Sequence, residues 1–471
     1  MQKFDRRRFL KLVGQSTAVL GFGLPFTSLA QAGNAKATTT SEAGKYQVFQ
    51  PGKYFDWEKG IIEERIARAS GRFRPKSKGA KDEISNPLMA GMSRRDDVVS
   101  KAELLSYNRT WDPYNPLFNN ETYAREAGYP DIPAWPCFKT PMAEGVMGLT
   151  IPKNIADTWY YANDGSDVRF YAPIYAGDSF TSKVEKLTFK ELTQPGSNLR
   201  HFEVGSVASL YNKKGELIVK SSGTLRNAYR KIIDGSPKPT FTENMSEWCE
   251  YFPPAHYTTD DEWEYIRELW KKESIRGKDT LYWEDVNIGD EPTWTCSGPI
   301  SHMDLVFWSG GGGSGLTMRN SRESPDVMFR DRYGIYLDER AIHYGGRNIP
   351  GSRMVFYNNT ASNHITRMIT NHIGDKGFVT RIRWYFKQLF REMQVERPGG
   401  EYLDKVPYMK GKECTVHGSE GDTVIAKGYV TDKYVDKKGN HIVDMTCWGE
   451  TLDNRIIQIV AASVKLPSKK G

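Results

Sequence analysis

Two side chains able to move a proton stand five positions apart in Tyr336-Leu337-Asp338-Glu339-Arg340-Ala341-Ile342-His343-Tyr344. A neutral imidazole accepts a proton and a carboxylate holds or orients water, so Asp338 and His343 together suit general acid–base chemistry on a water molecule. The remaining histidines fit such chemistry less well. His364 and His372 lie eight apart on a predicted helix, nearly on one face, but no third ligand is placed and no metal is expected. His302 reads as a capping or core residue. The glycine-rich stretch from Ser309 to Gly315 lacks the Gly-Lys-Ser/Thr of a phosphate cradle, so it reads as a lid or linker. Arg381, Arg383, Lys387 and Arg391 line up along one predicted strand and read as a solvated face. The cysteines (Cys137, Cys249, Cys296, Cys414 and Cys447) are far apart and contain no C-x-x-C pair, which argues against a zinc or dithiol motif. One or two disulfides are compatible with an oxidising compartment, with the pairing open; most of the five read as buried thiols.

The elements that must position Asp338 and His343 follow from periodicity. A helix is predicted from Thr360 to Gly374, then strands over Phe378–Phe390, Lys412–His417, Asp422–Tyr434, Ile442–Leu452 and Ile456–Leu466. Before the segment, Asp285–Asp290 leads into a strand ending at Ser297, and Ser301–Trp308 reads as a helix. An earlier block has the same plan. A short helix is predicted at Ala102–Tyr107, and a second, capped by Asn119 or Asn120, runs through Ala127 and stops at Gly128. Strands over Val168–Ile174, Ser179–Glu191, Leu199–Tyr211 and Leu217–Tyr229 follow. The architecture is therefore duplicated. The predicted domains are 98–230 and 280–471. Between them 231–279 is a connector, Pro-rich at first and then helical from Thr259 to Lys272, its Trp263, Ile266, Leu269 and Trp270 spaced to pack on the body. Residues 33–97 form an N-terminal extension: 33–50 reads as a flexible lead-in, and Trp57–Ala69 as a helix.

Residues 1–32 are addressed elsewhere than to the fold. Asp5-Arg6-Arg7-Arg8-Phe9-Leu10-Lys11 precedes an apolar run from Leu12 to Ala30, and Ala30-Gln31-Ala32 is a small-residue cleavage site. The Arg-Arg-x-Phe-Leu-Lys core resembles the twin-arginine export signal, which implies a folded protein delivered to the periplasm or beyond. Removing residues 1–32 takes away five basic residues and one acid, so the formal charge falls from +7 to +3. That mild balance gives no support to nucleic acid or an anionic membrane surface as partner. No membrane span is expected in the mature chain.

The helix-then-long-strands unit, present twice, resembles the double hot-dog proteins of the MaoC-like acyl dehydratase group and its fatty-acid-synthase relatives. Hydratases of that family carry D-x-N-P-x-H on a segment overhanging the active site. Here Asp338-Glu339-Arg340-Ala341-Ile342-His343 keeps the Asp-to-His spacing, with Arg340-Ala341 replacing Asn-Pro. Ile365–Asp375 resembles the end of the family's central helix. In the first half Asp112-Pro113-Tyr114-Asn115-Pro116-Leu117-Phe118 keeps Asn-Pro with one residue inserted, and Tyr123–Gly128 matches the family's Y-A-x-x-x-G. Phe118 occupies the histidine position and cannot transfer a proton. The resemblance implies an α+β double hot-dog, with two antiparallel sheets each wrapping a central helix. It implies a catalytic second half using Asp338 and His343, a backbone oxyanion donor near Asn358, and a non-catalytic first half whose Asn115 and Phe118 wall the acyl pocket. It implies no cofactor, a small hydrophobic or acyl-type substrate, and a homodimer.

Export and family chemistry pull apart, because thioesters of coenzyme A are cytoplasmic. Two classes of function therefore stand: an exported hydratase or dehydratase, and a non-catalytic hot-dog ligand-binding protein or subunit co-exported with a redox partner. A thioesterase on the same fold is less favoured by the Asp-to-His spacing.

Overall fold

Runs of β-branched and aromatic residues, broken by turns built on Gly and Asn, pair as antiparallel strands around one polar-faced helix. The computed structural model describes residues 45–69, 98–138, 158–233, 257–300, 328–330, 336–338, 360–385 and 421–470. The chain divides into two compact units, Met1–Lys45 and Tyr46–Gly471, and the fold described is that of the second. The twin-arginine segment, the Gly-rich stretch, His302, and the predicted elements at 301–308 and 412–417 lie outside the described residues.

In chain order the elements are α1 (Asp56–Ala69), α2 (Lys101–Trp111), α3 (Pro116–Asn119), α4 (Glu121–Glu126), β1 (Thr158–Phe170), β2 (Phe180–Glu191), β3 (Arg200–Asn212) and β4 (Leu217–Arg230). There follow α5 (Asp260–Lys272), β5 (Thr295–Ser297), β6 (Met328–Arg330), β7 (Tyr336–Asp338), α6 (Thr360–Ile373), β8 (Phe378–Tyr385), β9 (Val424–Val435), β10 (His441–Glu450) and β11 (Ile456–Lys465).

Nine strands form one sheet in the order β2-β3-β4-β1-β8-β11-β10-β9-β5, every neighbouring pair antiparallel. The order reads as one motif used twice. In the first half the fourth strand returns to pair with the first (β2-β3-β4-β1), and in the second the same path gives β9-β10-β11-β8. Each half also carries a short edge partner at the start of its second strand. Val98 bridges Ser179 in the first half, and β5 pairs with Val424–Ala426 in the second. The fold is an α+β double hot-dog. The two expected sheets are continuous, because β1 and β8 pair from Gly165↔Tyr385 to Arg169↔Arg381.

Helix α6 lies in the curve of the second half, packed on β5, β9, β10 and β11. Its Ile365, Met368, Ile369 and Ile373 are buried with Val430, Met445, Val460 and Val464, and this core runs on into Leu104, Trp111 and Phe170 of the first half. Each such side chain contributes roughly 1.5–3 kcal/mol relative to exposure. The helix stops where Gly374 takes φ +67. A Cβ there would stand 2.9 Å from the Gly277 carbonyl oxygen, so the position requires glycine. The connector helix α5 begins with a capping box between Thr259 and Glu262. It buries Ile266 and Leu269 against Cys296 and Ile425, as its spacing predicts.

Several expectations are corrected. β1 begins at Thr158, ten residues before the predicted Val168, because its Thr-Trp-Tyr-Tyr-Ala-Asn-Asp-Gly-Ser-Asp stretch hides the alternation and contains a register shift at Asn163/Gly165. Helix α2 extends to Trp111 rather than ending at Tyr107. Residues 46–50 are built into the fold, not a flexible lead-in. Phe49 is fully buried with Ile62, Phe202 and Tyr229, and its N–H donates to the Ser197 carbonyl at 2.7 Å. Beside it the fully buried Arg200 pairs with Glu58 and with Glu191, the latter at 2.7 Å. Arg381 and Arg383 sit on the partly exposed face of β8, alternating with buried Ile382 and Trp384, and Arg381 Nε also donates to Asp167 of β1 at 2.8 Å. Cys137, Cys296 and Cys447 are buried, as expected for most of the cysteines, and Cys249 and Cys414 lie outside the described residues.

Candidate functional site

The joint between the halves holds a cleft of about 700 Å³, its open mouth included. Three pieces of chain enclose it. One is the motif-bearing segment of the first half, with Asn115, Leu117 and Phe118. The second is the following wall, from Tyr129 to Phe138, together with the exit of β1 at Phe170–Ile174. The third is the C-terminal end of α6 with the start of β8 (Thr370, Ile373, Phe378 and Val379).

Local hydrogen bonds make the first piece rigid. Asn115 caps α3, its Oδ1 accepting the Leu117 N–H at 3.1 Å, with Pro116 at the first helical position where its missing N–H costs nothing. Asn119 donates to the carbonyls of Asp112 at 2.7 Å and Asn115 at 2.9 Å. Asn108 ties this segment to the wall. Its Nδ2 donates to the Phe118 carbonyl at 2.7 Å and the Pro133 carbonyl at 3.0 Å, and its Oδ1 accepts the Trp135 N–H at 2.7 Å. One buried amide thus sets both Phe118 and Trp135. The sequence reading missed it, since an Asn inside an amphipathic helix carries no local signal of its distant partners.

Two halves meet at α6. Asn115 donates to Asn371 Oδ1 at 3.4 Å, Tyr129 OH donates to the Asp375 carbonyl at 2.6 Å, and Lys376 Nζ to the Ala127 carbonyl at 2.6 Å. Beneath the segment α6 buries an unusual polar set for a central helix, including Asn363, His364, Arg367 and Asn371. Arg367 donates to Glu273 at 2.9 Å and to the Cys296 carbonyl at 3.0 Å. His364 packs edge-on against the Trp111 ring at 5.6 Å.

The charges in this set are perturbed chiefly by burial. Asp112 is 1% exposed, and neither carboxylate oxygen closes a hydrogen bond. Burial pushes it up to about 6, against the opposing pull of the Arg367 guanidinium and the nearby Asn115 amides. Burial, reinforced by Arg367, brings His364 down to about 3. Burial and Arg276 bring His372 down to about 4. Both imidazoles are neutral at neutral pH. Phe118, on the same segment as Asp112, offers no group that transfers a proton.

The other predicted residues divide. Asn115 and Phe118 line the cleft. Asp338 closes β7, opposite Met328 of β6. His343 and Asn358 lie outside the described residues. Among the described residues no His, Cys, Asp and Glu cluster is arranged to hold a metal, and no helix is long and apolar enough to cross a membrane.

No family model matches the chain, and no curated protein matches it by sequence. Solved structures are similar in trace. A MaoC-like dehydratase aligns at 15% identity and TM-score 0.45, over 79% of this chain and 96% of its own. A MaoC domain dehydratase from Chloroflexus aurantiacus J-10-fl aligns at 13% and 0.39, over 80% and 96%. A conserved hypothetical protein from Mycobacterium tuberculosis, described as having a double hotdog fold, aligns at 10% and 0.40, over 79% and 96%. The fold assignment rests on the strand order and the enclosed helix.

Proposed function

We propose that this chain is an exported hydratase or dehydratase, adding or removing water across a conjugated enoyl or 3-hydroxyacyl-type substrate, with Asp338 and His343 as its acid–base pair. The observation that carries the reading is the seat of the Asp112–Phe118 segment. This stretch keeps the Asn-Pro of the hydratase signature, packs on the end of α6, and walls an apolar cleft of about 700 Å³. The duplicated strand order supports assigning the reacting pair to the equivalent segment of the second half, where Asp and His keep the signature spacing.

In the hydration direction neutral His343 takes a proton from water as the water oxygen bonds to the β-carbon. Ionised Asp338 holds that water, and the imidazolium of His343 then gives its proton to the α-carbon, which completes the addition and returns His343 to its neutral form. Charge accumulates on the carbonyl oxygen, which calls for a backbone N–H donor, assigned to the neighbourhood of Asn358. The twin-arginine signal supports delivery to the periplasm or beyond and a substrate that is not a coenzyme A ester.

A second reading, a ligand-binding hot-dog protein or subunit co-exported with a redox partner, is favoured by one observation. Phe118, which lines the cleft on the segment that keeps Asn-Pro, has a side chain that cannot transfer a proton. Hydration of a panel of enoyl compounds by the wild type and His343→Ala separates the two. The hydratase reading expects a fall of about 10²–10⁴-fold in kcat/KM, the usual worth of a positioned base. Equal rates, or no hydration of any panel member, leave the ligand-binding reading in place.

A further inference from the structure

Two pieces of chain that face the cleft are held from behind by one side chain. Leu117 and Phe118 belong to the motif-bearing segment, and Pro133, Trp135 and Phe138 to the wall that follows it. Asn108 of α2 is fully buried and is not among the residues that line the cleft. Its amide donates to the Phe118 carbonyl at 2.7 Å and to the Pro133 carbonyl at 3.0 Å, and accepts the Trp135 backbone N–H at 2.7 Å.

These three partners have fixed polarity. Carbonyls only accept and a backbone N–H only donates, so the Asn108 amide meets all of them in a single orientation. A carboxylate of the same size would turn an oxygen toward both carbonyls and drive the two pieces away from it. Glutamine would keep the amide but add a methylene, and a close-packed interior answers such an insertion by moving its neighbours.

The other ties from α2 are softer. The Tyr107 ring meets Phe138 at 5.2 Å and Trp111 stacks on Trp135 at 6.2 Å, but burial of apolar surface is not directional and lets surfaces slide. Lys101, at the start of α2, reaches Glu121 of α4 and, at 3.6 Å, Asp131 of the wall. That lysine is 44% exposed, and exposed pairs contribute little. The hydrogen bonds of Asn108 are both directional and sealed from water, so they set the spacing.

We infer that Asn108 fixes the width of the cleft and thereby selects ligands by their cross-section, as a positioning residue that never touches the ligand. This role presupposes the reading of the cleft as the substrate's berth, but it is measured by binding, without turnover.

Calorimetric titration of the full mature chain with two neutral enones tests it: (E)-3-nonen-2-one, a slender chain, and (E)-4-phenyl-3-buten-2-one, which carries a broad ring on the same reacting group. Selectivity is the ratio of their two dissociation constants. Asn108→Gln is expected to move that ratio about fivefold or more toward the phenyl compound. Asn108→Asp, which keeps the size and reverses the polarity, is expected to move it the same way. Leu104→Ala removes a buried side chain of the same helix that lies outside the cleft lining. It is expected to lower the melting temperature and leave the ratio where it was, which separates positioning from general loosening of α2.

An unmoved ratio in both Asn108 variants, an equal movement in Leu104→Ala, or no measurable binding of either enone to the wild type would each overturn the assignment. A ratio that moves as described while neither enone is hydrated leaves the positioning role standing and counts only against the hydratase reading. Hydration by the wild type with an unmoved ratio in the variants sinks the positioning role alone.

Discussion

Arg381 on β8 donates to Asp167 on β1 at 2.8 Å, across the seam where the two halves become one sheet. In the same register Arg381 faces Arg169, whose Nε lies 3.9 Å from Asp167 Oδ1, so one carboxylate serves two guanidinium groups. Asp167→Asn is therefore expected to cost more than an ordinary surface pair, about 1–2 kcal/mol by urea unfolding. Because both partners are partly exposed, the loss should shrink as salt is raised. A loss independent of salt would show that the seam does not depend on this charge arrangement.

Asp112 gives stability a pH dependence of defined sign. Its folded-state value, about 6, lies above the ordinary 3.8. Between those values the folded protein binds more protons than the unfolded chain, so this residue's contribution falls as pH rises from about 4 to 6 and stays low above. Asp112→Asn is expected to stabilise the protein at pH 7 by on the order of 1–3 kcal/mol and to have little effect at pH 4. Urea midpoints at the two pH values check this, and a variant less stable than wild type at pH 7 contradicts it.

The two histidines of α6 act in the opposite sense. His364 and His372 are brought down from 6.5 to about 3 and about 4, so below pH 6.5 the unfolded chain takes up protons that the folded protein refuses. Their contribution is complete above about 6.5 and is lost as pH falls through 6 to 4. With both in play the loss is about 2–3 kcal/mol per pH unit. The double variant His364→Gln/His372→Gln is expected to show a visibly flatter slope over that range, whatever its absolute stability.

At the end of α6 the glycine requirement has a contact part and a conformational part. Gly374→Ala meets both, with φ +67 and a Cβ 2.9 Å from the Gly277 oxygen. Gly215→Ala, at φ +78 with nothing within 4 Å, meets only the second. Thermal melts are expected to show Gly215→Ala costing about 1 kcal/mol and Gly374→Ala clearly more. Equal costs would mean that the connector yields at Gly277.

Arg200 is a stricter case, because it is fully buried with its two carboxylates. Glu58→Ala leaves a guanidinium with half its counter-charge and is expected to destabilise by about 3–5 kcal/mol, releasing the 46–69 segment to proteolysis. A variant as protease-resistant as the wild type would argue that Phe49 and Ile62 alone hold that segment.

The strands were legible where apolar residues alternate between clear turns. β3 and β4, for example, flank an Asn212–Gly215 turn in which Asn212 accepts the N–H groups of Lys214 and Glu216. The start of β1 was not, since its Thr158–Asn163 stretch carries no clear alternation and the strand shifts register between Asn163 and Gly165. At the site, the motif residues Asn115 and Phe118 could be singled out by their neighbours in sequence. Asn108, Arg367 and Trp135 could not, because their meaning lies in partners tens of residues away: the Trp135 N–H for Asn108, and Glu273 for Arg367.

The β1–β8 seam has one more consequence. Two identical chains meeting along such an edge must carry every substitution twice, so a site lost on one side is lost on both. Linking the halves in a single polypeptide removes that obligation. Position 118 can hold a phenylalanine while position 343 holds a histidine. Because the join is intramolecular, it also forms at any dilution, so the two halves stay paired where separate subunits would come apart.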